Sequence, residues 1–271
     1  MNHFIAKNYK SFLRNFYLSM SLYDMIFVYA VYNIIFSNHG LSVFEISILL
    51  AWWNFTAIVA EVPSGALADF WSRRKMLILG PLIKILCFVS WFFADGNFYL
   101  YALGFLFWGV ASTFISGTKE AFLYDSLALF DKKDDYEKVL SKQKSYFNFS
   151  VGLAIITGGF MAEYSQDLVL LSSLVPLVLS AIFASFMKEV PKIKSTEEVH
   201  YFEYIKIAYR EIRGSAVLKY LFVYSLIFAI FMNLDEYDQL YYRFVGMPYS
   251  ALGIVIFIES TMAVIGSYFA Y

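Results

Sequence analysis

The stretch EVPSGALADFWSRRK, residues 61–75, decides how this chain is read. A strongly apolar run ends there in Gly65, Asp69 and three adjacent cations, Arg73, Arg74 and Lys75. A segment that meets so much charge so abruptly is leaving an apolar solvent for water. The composition agrees. The 271 residues are 60% hydrophobic, 21% aromatic and 16% charged, against about 45–50% apolar and about 25% charged in soluble domains. Uncharged runs at Met25–Phe44, Gly96–Thr118, Ser145–Ala162 and Leu168–Met187 each approach the roughly 20 residues that cross a bilayer core. The fold class is therefore all-α, a polytopic transmembrane helical bundle whose surrounding partner is the lipid bilayer. A net charge of −1 leaves no electrostatic footprint for nucleic acid. The single cysteine, Cys87, lies inside an apolar run and reads as a small packing residue.

Eight spans are predicted, near 14–37, 44–67, 75–94, 98–124, 144–164, 168–187, 216–242 and 249–271. The first is too long for a signal-peptide core and no small-residue cleavage site follows it, so it reads as a retained span. Cations gather on alternate connections: Lys7, Lys10 and Arg14, then Arg73 to Lys75, then Lys132 to Lys144, then Lys188 to Lys219. Only Arg243 falls on the opposite side, and Lys84 and Lys119 lie within spans. The Lys/Arg bias of short loops predicts a cytoplasmic N-terminus in a multi-pass protein of the plasma (cell inner) membrane. Residues 61–75 then descend to the cytoplasmic face. Gly65 is expected to let a second helix or loop approach closely. Asp69 is expected to end the span and accept backbone N–H groups of the following helix.

The pattern Gly65-x-Leu67-Ala68-Asp69-x-x-x-Arg73-Arg74 resembles the cytoplasmic loop signature of the major facilitator superfamily, which lies between its second and third helices. Phe70 and Ser72 stand where the family has a cation and a glycine. SGTKEAFLYDSL, 116–127, is similar to the corresponding region of bacterial permeases in that superfamily. The resemblance implies a six-helix N-terminal bundle (1–187), a cytoplasmic interdomain loop (188–215) and the first two helices of a second bundle (216–271). Within the loop, Phe202, Ile205, Tyr209 and Ile212 recur at helical steps and predict an amphipathic helix on the inner leaflet. A weak internal repeat relates 37–53 to 243–259, with Gly40 and Gly246 placed 206 positions apart. Family members have twelve spans, so the resemblance implies a truncated gene product or a fragment of a longer chain.

Ionisable residues inside spans point to function, because an unpaired charge at the bilayer centre is costly. Asp24 stands mid-span, with Tyr17 and Ser21 on the same helical face. The resemblance turns that face to a central cavity and makes Asp24 a candidate proton or cation site, against the reading of a packed, hydrogen-bonded acid. In the fourth span Ser112, Ser116 and Lys119 or Glu120 share a face, and Glu61 with Lys119 is expected to form a structural ion pair. Asp125 is placed to meet Arg73 or Arg74. The resemblance implies that Gly65, Asp69, Arg73, Arg74 and Asp125 form a gate motif holding the inward side shut. Lys84 has no evident partner and reads as a snorkelling residue. In the seventh span Asp235, Asp238, Gln239 and Tyr242 make a polar stripe, suited to a cationic or polyhydroxylated ligand or else merely the wet end of the helix. Glu259 reads as a structural acid.

No HExxH, CxxC or GxxxxGK[ST] occurs, and His3, His39 and His200 all fall in loops. No enzyme, metal site or cofactor is predicted. GLAIITGG at 152–159 lacks the Gly-Pro of the antiporter signature, so Gly152, Gly158 and Gly159 read as close helix-packing points. Two functional classes remain. One is a secondary active transporter moving a small solute by alternating access, with protons or another coupling cation as a second partner. The other is a truncated facilitator-like membrane protein without transport activity, acting as a partner or sensor or having no function.

Overall fold

The computed structural model describes residues 2–189, 210–232 and 234–269. Most of the amphipathic stretch expected between Phe202 and Ile212 lies outside the described residues. Among the described residues the chain is helical throughout: α1 Asn2–Tyr23, α2 Tyr32–Asn38, α3 Val43–Phe70, α4 Arg73–Phe92, α5 Phe98–Leu129, α6 Tyr136–Ala162, α7 Gln166–Ser172, α8 Leu174–Phe186, α9 Ala216–Met232, α10 Asp238–Phe244 and α11 Tyr249–Phe269. Among the described residues six segments are long and apolar enough to cross a membrane, the six spans expected up to residue 187. The segments expected as the seventh and eighth spans, 216–242 and 249–271, are not among them and keep those names below. The protein is a multi-pass transmembrane bundle.

Polar caps start these helices where the apolar runs begin. Ser42 and Glu45 form a reciprocal capping box at α3. Asn97 caps α5 and Ser165 caps α7. At α4 the cap is Ser72, which accepts from the Lys75 N–H. Helix α3 ends at Phe70, one residue after Asp69; the Asp69 side chain, expected to accept backbone N–H groups of α4, lies outside the described residues.

The first and seventh spans are not continuous helices. In the first, α1 stops at Tyr23, residues 24–26 are non-helical, and a 3-10 turn at Phe27–Ala30 leads into α2. In the seventh, α9 gives way to a 3-10 turn at Leu234–Tyr237 and then to α10. The two breaks follow one plan. Helices α2 and α10, Gly40 (φ +92°) and Gly246 (φ +87°), and the starts of α3 and α11 all keep the 206-residue offset. Both glycines sit in the left-handed region that L side chains avoid. The repeat, faint in the letters, is clear in the backbone.

Close helix approaches fix where the breaks sit. A Cβ added to Gly158 would lie 1.9 Å from the Phe27 carbonyl oxygen, one at Gly159 would lie 2.7 Å from the Tyr249 oxygen, and one at Gly152 would lie 2.5 Å from the Phe257 ring. Helix α6 therefore presses bare backbone against the break in the first span and against α11. A Cβ at Gly65 meets nothing within 4 Å, but one at Gly117 of α5 would lie 3.9 Å from the Gly65 Cα, so the two helices pass backbone to backbone there, as expected. A tighter crossing of α3 and α5 lies at Gly109, where an added Cβ would come within 2.8 Å of Thr56.

Gly158→Ala should cost about 1–3 kcal/mol, the usual penalty for overpacking. Gly152→Ala should cost less, because a ring can give way where a backbone carbonyl cannot. Thermal unfolding in detergent checks the order, and a variant at Gly158 as stable as the parent would contradict it. At the C-terminal end of α6, Glu163 accepts from the backbone N–H and the hydroxyl of Ser250 at the start of α11. These bonds, the backbone one first, hold its carboxyl below the ordinary value. The tie is thus present at neutral pH and is lost as pH falls through the lowered value.

Candidate functional site

The break in the first span creates a polar centre inside the bundle. The Phe27 N–H, left without a helical partner, donates to Ser173 Oγ at 3.1 Å. Irregular backbone at membrane depth is tolerated where protein buries it in this way. Asp24 sits at the break. Its Oδ1 accepts from Lys84 Nζ of α4 at 2.6 Å and from the Tyr29 hydroxyl at 2.8 Å. Lys84 is fully buried. Its ammonium also lies 4.2 Å from the Tyr23 ring centroid and 4.9 Å from that of Trp108, a geometry in which ring faces attract a cation. Lys84 therefore does not snorkel. Its side chain points inward to the carboxylate that the unwound turn exposes.

Tyr17 and Ser21 do not join Asp24. Because α1 ends at Tyr23, the helical face they were expected to share stops one residue short. Both instead line a groove of about 470 Å³ between α1 and α6, with Lys10, Arg14, Lys142 and Tyr146. Tyr17 meets Tyr146 edge-on there, at 5.3 Å between centroids.

Beside the ion pair lies a cavity of about 250 Å³ walled by Tyr29, Tyr32, Trp53, Phe105, Trp108 and Phe147, with Val151, Ile155, Asp235 and Glu236. Tyr29 and Trp108 thus belong both to the cavity and to the surroundings of Lys84. The seventh span closes it through a polar seam against the first. The Tyr32 hydroxyl donates to Glu236, and Asn33 Nδ2 donates to the Glu236 carbonyl at 2.7 Å. The Asn33 N–H donates to Gln239 Oε1 at 3.3 Å, and Gln239 Nε2 donates to the Tyr29 carbonyl at 3.0 Å. The Tyr237 hydroxyl reaches Ser47 at 2.8 Å.

The stripe expected on the seventh span is redistributed by its break. Asp235 lines the cavity, Gln239 is buried in the seam, and Asp238 opens α10 half-buried beside them. Tyr242 leaves the stripe and donates to Glu259 of α11. Glu236, which a continuous helix would turn away from the stripe, is the acid that meets the first span.

Helices α3, α5 and α4 carry the remaining candidates. Glu61 accepts from Ser116 at 3.3 Å, and among the described residues it forms no ion pair with Lys119. Gly65 lies abreast of Gly117, so Glu61 stands level with residue 113. Lys119 is then about 9 Å further along the axis at 1.5 Å per residue. Glu120 is exposed. At the end of α4, Arg73 forms an ion pair with Asp125 of α5 and donates to the Ala121 carbonyl at 3.3 Å. Arg74 donates to the Ser185 carbonyl of α8, and the Ser72 hydroxyl donates to Glu189. The two arginines of the 61–75 stretch thus clamp α4 onto α5 and α8.

The contacts of two side chains in this polar centre were beyond sequence reasoning. For Lys84 the available signal was a lone cation at mid-span. For Glu236 it was only a third acid in an acid-rich run.

Comparison with known proteins agrees with this architecture. No curated protein matches the sequence. Among solved structures, the crystal structure of the D-xylose–proton symporter superposes with a TM-score of 0.58 at 13% sequence identity, over 94% of this chain and 65% of that one. At that identity the likeness shows the fold alone, and the present chain spans about 65% of the symporter's length. The family model described as Major Facilitator Superfamily matches residues 16–271. With the Gly65–Arg74 motif ahead of α4 and a repeated broken span at its two ends, the chain belongs to the major facilitator superfamily.

Proposed function

We propose that this chain works in a secondary active transporter that moves a small solute by alternating access, with Asp24 as the carboxylate that couples a proton. The observation that carries this reading is the Asp24–Lys84 pair, which shares Tyr29 and Trp108 with a cavity closed by the seventh span. A proton on Asp24 would remove the charge that holds Lys84 and weaken its hold on the Tyr29 hydroxyl. The Tyr29 carbonyl is where Gln239 anchors the seventh span. The state of the carboxylate is thereby linked to the seam that rocking bundles must open and close.

In this proposal residues 1–187 form the first bundle, 188–215 the connector and 216–271 the start of the second. The N-terminus is cytoplasmic, the membrane is the plasma membrane, and the chain carries no enzymatic chemistry. The Gly65–Asp69–Arg73–Arg74 motif with Asp125 acts as the inner gate. Asp69→Asn or Asp125→Asn should then reduce transport by the complete protein severalfold while leaving membrane insertion unchanged. Normal uptake at normal expression would remove both residues from the gate. Cysteines placed at Asn97 and Gln166 in a Cys87→Ala background should label from outside, and cysteines at Ser141 and Ser195 only after permeabilisation. Reversed labelling would overturn the orientation.

The transport reading is tested with vesicles holding the complete protein that carries this chain. They are given a proton gradient and a defined mixture of amines, polyols and carboxylic acids, and their contents are analysed by mass spectrometry. Gradient-dependent accumulation of at least one solute is expected. Accumulation of none would favour a facilitator-like membrane protein without transport activity.

A further inference from the structure

The cavity between the first and seventh spans has a composition that selects among solute classes. Six of its ten lining residues are aromatic, and its only charged side chains are the carboxylates of Asp235 and Glu236. Glu236 is half-buried, with one oxygen held by the hydroxyl of Tyr32, itself 4% exposed. Among the described residues no cationic side chain pairs with either acid. The Glu236 carboxylate is therefore not simply the wet end of a helix. It stands among aromatic rings with no cationic partner among the described residues, an arrangement that a bound cation would relieve. Trp53 adds an indole Nε1 that is buried without an acceptor.

A polyol would need amide and hydroxyl groups arrayed around it. Of the two amides nearest this cavity, Gln239 is spent through both ends of its side chain and Asn33 through its Nδ2 on the seam between the spans, which leaves the buried Asn33 Oδ1 as the one amide atom without a partner. Ring faces, by contrast, suit a cation, and two of the lining rings already face one in this structure. Tyr29 and Trp108 flank the Lys84 ammonium, which Asp24 neutralises.

We infer that the cavity binds a small organic cation, an amine or quaternary ammonium, with Glu236 as its counter-charge and Trp53, Trp108, Tyr29 and Tyr32 as its aromatic walls. At about 250 Å³ the space is below the roughly 300–1,000 Å³ of drug-sized ligand pockets, so the cation is small. The inference rests on the transporter reading only in taking this cavity as the solute's place.

The test is equilibrium binding of radiolabelled choline to the complete protein purified in detergent. It is compared with binding of the uncharged isostere, in which carbon replaces the quaternary nitrogen, and of D-xylose. Choline should bind at least about tenfold tighter than its isostere, the scale of a desolvated cation–π site with a carboxylate. D-Xylose should show no saturable binding. Glu236→Gln should weaken choline by about tenfold through the lost charge–charge attraction and leave the isostere unchanged. Should that variant fail to fold, the comparison between choline and its isostere on the unaltered protein still decides. Equal binding of choline and the isostere, or saturable D-xylose binding without choline binding, overturns the inference. Loss of this result with vesicle accumulation intact removes the cation and not the transporter. Choline binding without any accumulation does the reverse.

Discussion

Asp24→Asn alone should destabilise the bundle by about 3–5 kcal/mol, the cost of breaking a buried ion pair by removing one partner. Lys84→Met alone should cost less, and the double variant should recover most of the loss. The order follows from what each change leaves behind. Asp24→Asn leaves an ammonium whose side chain is 1% exposed without a counter-charge, with ring faces, the Tyr29 hydroxyl and a neutral amide oxygen as its remaining contacts. Lys84→Met strands a carboxyl that is 21% exposed, that keeps the Tyr29 hydroxyl, and that can become neutral by binding a proton. In the double variant neither charge is present, and methionine fills the lysine stem's volume between Tyr23 and Trp108. Thermal unfolding in one detergent checks this. Additive losses in the double variant would show that the two residues do not act as a pair.

The ends of the spans were legible because water and lipid write them in composition. Helices α3, α4, α5, α8 and α11 begin within two residues of an expected boundary or, for α8, lie inside one span. The two arginines that clamp α4 were legible because a short motif names both them and the loop that holds them. The breaks in the first and seventh spans were not. Residues 24–30 read DMIFVYA, with no glycine or proline to unwind a helix. What stabilises the unwound form lies far away in sequence, in the Ser173 hydroxyl on the Phe27 N–H and in the bare backbone of Gly158 against the Phe27 carbonyl.

Once the breaks are in place, faces computed for continuous helices rotate. Tyr17 and Ser21 part from Asp24, and Glu236 enters the cavity between Asp235 and Gln239. The Glu61–Lys119 pairing failed for a different reason. Composition gives approximate depth, and an ion pair needs axial register, which the close approach of α3 to α5 fixes. Lys84 shows the same limit from the other side, since its partner is 60 positions away on a turn that the sequence does not announce.

The second large effect concerns coupling. A transporter driven by protons must bind and release one in each cycle, whereas exchange of labelled for unlabelled solute needs only the rocking motion. Asp24 in its unwound turn is the one carboxylate among the described residues that pairs with a fully buried lysine. The variant to use is the stable one, Asp24→Asn with Lys84→Met, so that a stranded ammonium does not obscure the result. The deciding measurement takes vesicles holding the complete protein, an imposed proton gradient and the solute that the unaltered protein accumulates. Uphill accumulation and solute exchange are then compared in the same preparation. The double variant is expected to lose uphill accumulation and retain exchange. A double variant that still concentrates the solute against its gradient would contradict the assignment of Asp24 as the coupling site and move that role to the acids of the seventh span.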